Sequence, residues 1–258
     1  MNAPAIKITK PVREQVSAEE WKVRVNLSAC YRLMADYGMV EMVANHISAR
    51  VPGTDNEFLI NPYGMLYEEM TASSMIKIDI EGNVLFNATE YGINQAGYVI
   101  HSAVHAARHD VDCVIHTHTL AGMAVSAMKC GIMPIAQTSL RFLDIAYHDY
   151  EGPALRLDER ERLVANLGKR EAMVLRNHGL LTVAPSIPEC FNNMYRLERA
   201  CELQVMALSC NTELQLPPNE VVQYGNSQMV PGSSRPRGLL EWASLLRKLD
   251  RKDPSYAH

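Results

Sequence analysis

The sequence lacks the long apolar runs, charge blocks and paired cysteines that mark several classes of protein. In its 258 residues no run of 18 apolar side chains occurs, so no membrane-spanning helix is expected. The first residues, MNAPAIKITKPVREQ, lack the apolar stretch of a signal peptide. The net charge of −4 is spread without blocks of one sign, so we expect neither nucleic acid nor an anionic membrane as a partner. The six cysteines form no CxxC pair, which is typical of reduced cysteines in a cytoplasmic protein.

With 47% hydrophobic residues the chain is long enough for one large core or two small ones. SAEE (17–20) predicts a helix to about Gly38, begun by a capping box in which Ser17 accepts from the backbone and Glu20 reaches back. SIPE (186–189) is a second capping box, for a helix to about Cys210. Further helices are expected at 94–108, 119–131 and 158–168, with short strands in HISARV, EFLIN, IKIDI, VLF, CVIH, LDIAYHDYEG, AMVLRNHG and LLTV.

Helices and strands are mixed without strict alternation, which favours one α/β or α+β domain with extensions. We expect a flexible lead at 1–17, a main domain at 18–210 and a C-terminal extension at 211–258. From 214 to 238 the extension is rich in Pro, Gly and Ser and shows no clear periodicity. Its segment LLEWASLLRKL (239–249) predicts an amphipathic helix that is too short to be stable alone. We therefore expect it to dock on the core or on a neighbouring subunit.

Three histidines are candidate ligands of a metal ion. His116 and His118 are two residues apart at the end of an apolar strand, so their side chains can point to the same face. His178 ends another apolar strand and is followed by a glycine that lets the backbone turn away. Three imidazoles leave a coordination position open, which is typical of catalytic metal sites. The alternative is that these are ordinary buried histidines, since a lone HxH pattern also arises by chance.

The remaining histidines are interpreted as structural. His101 and His105 share one face of the helix 94–108, and we expect that face to be polar and near solvent. His46 and His148 are single residues that we expect to be structural or to lie at the rim of a site.

Several segments resemble the class II aldolase/adducin superfamily, in the order expected for it: NHISARV, INPYGMLYEEMTASS, IHTHTLAGMAVSAM and LRNHGLLTV. The resemblance covers about residues 20–210. NQAGYVIHSAVHAARHDVDCVIHTHT is most similar to the adducin-head branch, which includes bacterial proteins of unassigned substrate. The resemblance implies a three-layer α/β/α fold with a mainly antiparallel central sheet. It also implies a homo-oligomer, commonly a tetramer, with active sites at subunit contacts.

For the site, the resemblance implies one divalent metal per subunit, held by His116, His118 and His178. Zinc is the usual ion, and Mn²⁺, Fe²⁺ or Ni²⁺ also suit three imidazoles. The aldolases carry an acidic general acid/base one helical turn before the position of His101. In this chain that position is Gly97, which has no side chain.

Other positions of the aldolase site are only partly kept. Two phosphate-binding serines are replaced by Gln95 and Ala96, and the catalytic tyrosine falls near Thr138. We expect four residues to face a substrate: Asn45, Ser48, Gly64 and Gln95. Candidates for the missing base are His101, Glu90 and His148, each of which is more often structural.

These features favour a metal-dependent lyase or related enzyme that acts on a small hydroxy-carbonyl or hydroxy-acid compound. Because the phosphate serines are absent, a carboxylate is a more fitting group than a sugar phosphate. Arg141 or Arg176 could clamp it, although pairing with a local carboxylate is the commoner role of an arginine. The alternatives are a non-catalytic oligomerisation or binding module similar to the adducin head, and a scaffold with a purely structural metal.

Overall fold

A computed structural model describes residues 10–153, 156–229 and 237–258 and contains an eight-stranded sheet. The strands lie in the order β4-β3-β2-β1-β5-β8-β7-β6. All neighbours are antiparallel except β6 and β7, which are parallel. The strands are β1 (His46–Arg50), β2 (Glu57–Ile60), β3 (Ile76–Asp79), β4 (Val84–Phe86), β5 (Cys113–Thr117), β6 (Ala146–His148), β7 (Ala172–Leu175) and β8 (Gly179–Ala184). The mainly antiparallel sheet is therefore confirmed.

Helices cover both faces of the sheet, because successive strand residues point to opposite sides. In β5, Ile115 packs in the core formed with α1, α5 and α7, whereas Val114 packs with α2 and α4. The helices are α1 (Ala18–Asp36), α2 (Gln95–Ala107), α3 (Leu120–Ser126), α4 (Glu159–Leu167), α5 (Ile187–Ser209), α6 (Asn219–Ser227) and α7 (Leu239–Lys252). This arrangement confirms the predicted three-layer α/β/α fold.

Both predicted N-caps form, but neither capping box is complete. At the start of α5, Ser186 accepts from the backbone N–H of Glu189, and the Glu189 carboxylate accepts from the Ser186 hydroxyl at 2.6 Å instead of from the Ser186 backbone. Ser17 accepts from the backbone N–H of Glu20, as expected, but the Glu20 carboxylate does not return to the cap. It binds Arg24 at 2.8 Å and Lys77 at 3.1 Å instead. A buried carboxylate gains more from two cations than from one backbone N–H, so the expected capping box is only half formed.

Two helices differ from the predictions made by periodicity. The helix expected at 119–131 ends at Ser126, well before Gly131. Within the segment predicted to lack periodic structure, α6 forms two turns and buries Val222. One exposed face and a single buried residue give almost no periodic signal in the sequence.

The C-terminal helix α7 docks on the core, as one of the two expected alternatives states. Trp242 and Leu249 are buried, and the indole N–H of Trp242 donates to Asn26 of α1 at 2.8 Å. Of the predicted lead at 1–17, residues 1–9 lie outside the described part, and Val12–Glu14 forms a 3-10 turn. No described helix is both long and apolar enough to span a bilayer.

Candidate metal centre and its surroundings

The ends of β5 and β7 bring three histidines together at one end of the sheet. His116 lies in β5, His118 follows that strand, and His178 lies in the turn from β7 to β8. The Nε2 atoms of His116 and His118 are 2.8 Å apart, and those of His118 and His178 are 3.0 Å apart. One nitrogen from each ring lies within 4.8 Å of the other two. We refer to these three residues as the histidine triad.

The turn that carries His178 depends on two special backbone positions. Asn177 adopts a left-handed conformation with φ of 54°. At Gly179 a Cβ atom would collide with the carbonyl oxygen of Thr117, so the close approach of β8 to β5 requires glycine. The sequence predicted a glycine that lets the chain turn, but Asn177 adopts the turning conformation and Gly179 provides the space.

Hydrogen bonds at Nδ1 determine which nitrogens of the triad are free. Nδ1 of His116 donates to the carbonyl of Leu180 at 2.9 Å, and Nδ1 of His118 donates to the carboxylate of Glu41 at 2.7 Å. Because these oxygens only accept, the protons lie on Nδ1 and the Nε2 lone pairs point towards each other. Converging lone pairs repel unless a cation lies between them.

The electrostatics of the triad suit a metal ion. Burial, with the neighbouring His178 and His46, holds the pKa of His116 well below its ordinary value. Burial and the nearby His118 lower the pKa of His178 to about 4. Neutral imidazoles are the form that binds metals. His118 and His178 are partly exposed, which leaves an open side at the cluster, and a carboxylate behind His118 is a common feature of metal sites.

The expectation that His101 and His105 face solvent is wrong, because both are fully buried. They belong to a chain of polar side chains between α2 and β1, which we call the histidine chain. Nδ1 of His46 lies 2.8 Å from Nε2 of His101, and Nδ1 of His101 lies 2.6 Å from Oγ of Ser48. The same oxygen lies 2.7 Å from Nε2 of His105. The polar stripe of α2 is thus buried against polar residues of β1 instead of facing water.

The histidine chain begins beside the triad, and Gly97 makes room for its first member. His46 and His116 are cross-strand partners, and their ring centroids are 5.0 Å apart. A Cβ atom at Gly97 would lie 2.6 Å from Cδ2 and 2.8 Å from Cγ of His46. The position where the resemblance implies an acidic side chain is therefore filled by an imidazole from β1.

Among the described residues, no hydrogen bond joins any of the three candidate bases to the triad. His101 uses both ring nitrogens within the histidine chain. His148 is buried beside α4, with Nε2 at 3.3 Å from Glu159 and Nδ1 at 2.8 Å from Asn166. Glu90 is exposed in the loop before α2.

The four predicted substrate-facing residues lie in different surroundings. Ser48 is enclosed in the histidine chain, and Asn45 is buried with its amide oxygen bonded to the Glu41 backbone at 2.7 Å. Gln95 is the exposed first residue of α2. Gly64 adopts φ of 119° against the ring of Tyr91. Their roles in substrate binding stay predictions, and the enclosure of Ser48 gives no support to its role.

Within the described part of the chain, neither candidate arginine pairs with a carboxylate. Arg176 donates to the carbonyl of Met128 at 2.8 Å and lies over the ring of Tyr147 at 4.3 Å. Arg141 donates to the side chains of Asn192 and Asn193 and lies at the other end of the sheet from the triad. The commoner role that we weighed, pairing with a local carboxylate, is wrong for both.

Three residues near the triad were not predicted from the sequence. Glu41 is half exposed, and nothing in its local pattern distinguishes it from an ordinary surface acid. Glu198 of α5 is buried and hydrogen-bonded to Thr119, which follows His118. Burial raises the pKa of Glu198 to about 7. The ring of Tyr150, an exposed residue, lies 6.3 Å from that of His178.

Comparison with known proteins agrees with this fold. A family model for the "Class II Aldolase and Adducin N-terminal domain" matches residues 25–205. A Pseudomonas aeruginosa protein named for aldolase class 2 is 50% identical over 250 residues, which cover 95% of each chain. Mouse alpha-adducin is 42% identical over 243 residues, covering 88% of this chain and 33% of the adducin.

Solved structures give the same result. An aldolase II superfamily protein from Pseudomonas syringae is 49% identical, with a TM-score of 0.92 over 96% of this chain and 100% of the other. L-fuculose 1-phosphate aldolase from Glaciozyma antarctica is 24% identical and shares the fold, with a TM-score of 0.81 over 97% of this chain and 96% of the other. The chain therefore belongs to the family of class II aldolases and adducin N-terminal domains.

Proposed function

We propose that the protein is a metal-dependent enzyme, a lyase or related catalyst that acts on a small hydroxy-carbonyl or hydroxy-acid compound. The observation that carries this proposal is the convergence of three Nε2 atoms, two of them on rings whose Nδ1 protons are fixed by oxygen acceptors. A divalent ion, most simply Zn²⁺, would be held by His116, His118 and His178. When bound, it would act as a Lewis acid on a carbonyl or hydroxyl oxygen of the substrate.

The residues of the chain would have distinct tasks in this enzyme. Glu41 orients the His118 ring and raises its basicity as a ligand. The partly exposed side formed by His118 and His178 would admit the substrate, next to the exposed ring of Tyr150. We propose a cytoplasmic homo-oligomer, a tetramer by family resemblance, in which 18–210 form the catalytic domain and 211–258 an extension.

Metal content per chain tests the proposal. The untagged protein would be reconstituted with Zn²⁺, dialysed and subjected to elemental analysis, next to His118→Ala and the matched control His109→Ala, which removes an exposed histidine. We expect about one ion per chain in the wild type and the control, and none in His118→Ala. A metal content that does not depend on His118 would contradict the proposal.

Activity would be tested on a panel of hydroxy-carbonyl and hydroxy-acid compounds with added Zn²⁺, Mn²⁺ or Fe²⁺. We expect turnover in the wild type and in His109→Ala, and none in His118→Ala. Metal binding without any such turnover would refute the enzymatic part of the proposal alone.

The similarity to adducins favours a second candidate, a non-catalytic oligomerisation or binding module. Mouse alpha-adducin matches most of this chain with only a third of its own length, which suggests a unit that functions within larger proteins. Co-sedimentation with cytoskeletal filaments at physiological salt would test this candidate. We expect no binding if the enzyme proposal is right.

A further inference from the structure

A cavity of about 290 Å³ lies at the end of β7 opposite the histidine triad. Glu171 and Ala172, at the start of this strand, line the cavity, whereas His178 follows the other end of the strand. At about 3.3 Å per residue, the strand alone separates the two ends by roughly 10 Å. We call this cavity the basic cleft, and it shares no lining residue with the triad.

The lining side chains of the basic cleft carry more positive than negative charge. Four are cations and two are carboxylates: Arg141, Lys169, Arg170 and Arg237, with Asp144 and Glu171. Arg237 binds Glu171 through two hydrogen bonds of 2.7 and 2.8 Å, and Arg170 donates to Asp144 at 2.8 Å. Both carboxylates are therefore already paired with an arginine. Among the described residues neither Arg141 nor Lys169 forms an ion pair with a carboxylate within 4.0 Å, so two positive charges of the cleft are unpaired.

Arg141 is the less ordinary of these two cations because its side chain is largely enclosed. Its guanidinium donates to the side-chain oxygens of Asn192, at 2.8 Å, and Asn193, both neutral groups. Among the described residues no carboxylate lies within 4.0 Å of it. The segments 1–9, 154–155 and 230–236 contain no Asp or Glu, so they cannot supply one.

A largely enclosed charge without a carboxylate partner is costly, because it has lost part of its hydration. Burial and the neighbouring charge of Arg237 lower the pKa of Arg141 to about 10. Two of the five N–H groups of the guanidinium are used by the asparagines, so three are left for an acceptor in the cleft. The two asparagine side chains compensate only part of the free-energy cost of desolvating the Arg141 guanidinium. A bound anion would offset the rest.

We propose that the basic cleft is a second binding site, separate from the triad, for the phosphate group of a small phosphomonoester. The two unpaired cations match its charge, which is close to −2 at neutral pH. Arg141 contributes the planar donor set that suits a tetrahedral oxyanion, and Lys169 contributes an exposed point charge at the rim. The volume is near the lower end of the range for small-ligand sites.

Isothermal titration calorimetry with inorganic phosphate at constant ionic strength tests this site. We expect one phosphate per chain in the wild type and little heat from acetate, which carries a single charge. Arg141→Met should weaken binding by about 10- to 100-fold, because it removes charge-assisted hydrogen bonds in an enclosed place. Lys169→Met should weaken it by about two- to fivefold, because this cation is exposed.

Two controls locate the phosphate. Arg247→Met removes an exposed arginine that bonds only within α7 and should leave affinity unchanged. His118→Ala should also leave it unchanged, because the triad lies at the opposite end of β7. Loss of binding in His118→Ala, or no phosphate binding in the wild type, would overturn the proposal. If Arg141→Met does not fold, unaltered affinity in Lys169→Met would overturn it as well.

Discussion

Gly97→Ala should destabilise the protein, although alanine is the better helix former. The new Cβ atom would lie 2.6 Å from Cδ2 of His46, well inside contact distance. The ring cannot move freely, because it is buried and lies 2.8 Å from Nε2 of His101. Relief of the clash must shift the ring and weaken that hydrogen bond.

The magnitude follows from three contributions to the free energy of unfolding. Overpacking of an enclosed site costs about 2 kcal/mol, and a weakened buried hydrogen bond costs about 1 kcal/mol more. Replacing glycine by alanine in a helix raises the free energy of unfolding by about 1 kcal/mol. The net loss is about 2 kcal/mol, which corresponds to a decrease in Tm of about 5 °C for a chain of this size.

The same substitution in a His46→Ala background tests whether the His46 ring causes the destabilisation. Without the imidazole, alanine at position 97 meets no clash and should stabilise the protein by about 1 kcal/mol. The effect of Gly97→Ala should therefore change sign between the two backgrounds. Denaturant unfolding of all four proteins with a chelator present, at one protein concentration, measures it. Destabilisation of equal size in both backgrounds would refute the role of His46.

Three further predictions concern the surroundings of the triad and the C-terminal helix. Because burial raises the pKa of Glu198 to about 7, its contribution to stability is lost as pH rises from about 4.5 to 7. Glu198→Gln should therefore stabilise the protein by up to about 3 kcal/mol at pH 8 and have almost no effect at pH 4.5. Unfolding curves in which the effect of Glu198→Gln does not depend on pH would contradict this prediction. Glu41→Gln should weaken Zn²⁺ binding about tenfold in a chelator competition, since His118 loses its charged partner, and an unchanged affinity would exclude that role. Trp242→Ala should lower the free energy of unfolding, measured in urea, by about 3 to 5 kcal/mol. The control Leu240→Ala, at a side chain 79% exposed, should change it by less than about 0.5 kcal/mol.

The triad could be predicted from sequence because its signals are local. His116 and His118 are two residues apart at a strand end, so the strand period alone places them on one side. His178 was predicted on similar grounds, because it ends another apolar strand and is followed by a glycine. The three-layer fold could also be predicted, because strand and helix periods are clear over most of the main domain and the motifs resemble a known family. Local signals do not show which strands are neighbours, however.

That limit explains why the histidine chain was not predicted. His46 and His116 meet through the register between β1 and β5, which pairs residues 70 positions apart. From the helix sequence alone, the polar stripe with His101 and His105 predicts a solvent-facing side. Only the tertiary structure shows that Ser48 and His46 of β1 lie opposite. Arg141 was misjudged, and Glu41 was missed, for the same reason. What distinguishes each of them is a partner, or the lack of one, that is distant in sequence.

The histidine chain also bears on the choice between an enzyme and a passive module. Burial lowers the pKa of His46 and His101, and that of His105 to about 3, so the fold keeps these imidazoles neutral. It also leaves Nδ1 of His105 without a partner among the described residues. Apolar side chains in the same space would avoid both costs. Perturbed polar groups that begin beside a set of converging imidazole nitrogens are typical of functional sites, where residues are kept for chemistry at the expense of stability. A module that needs only an interface would gain nothing from such groups, whereas an enzyme would.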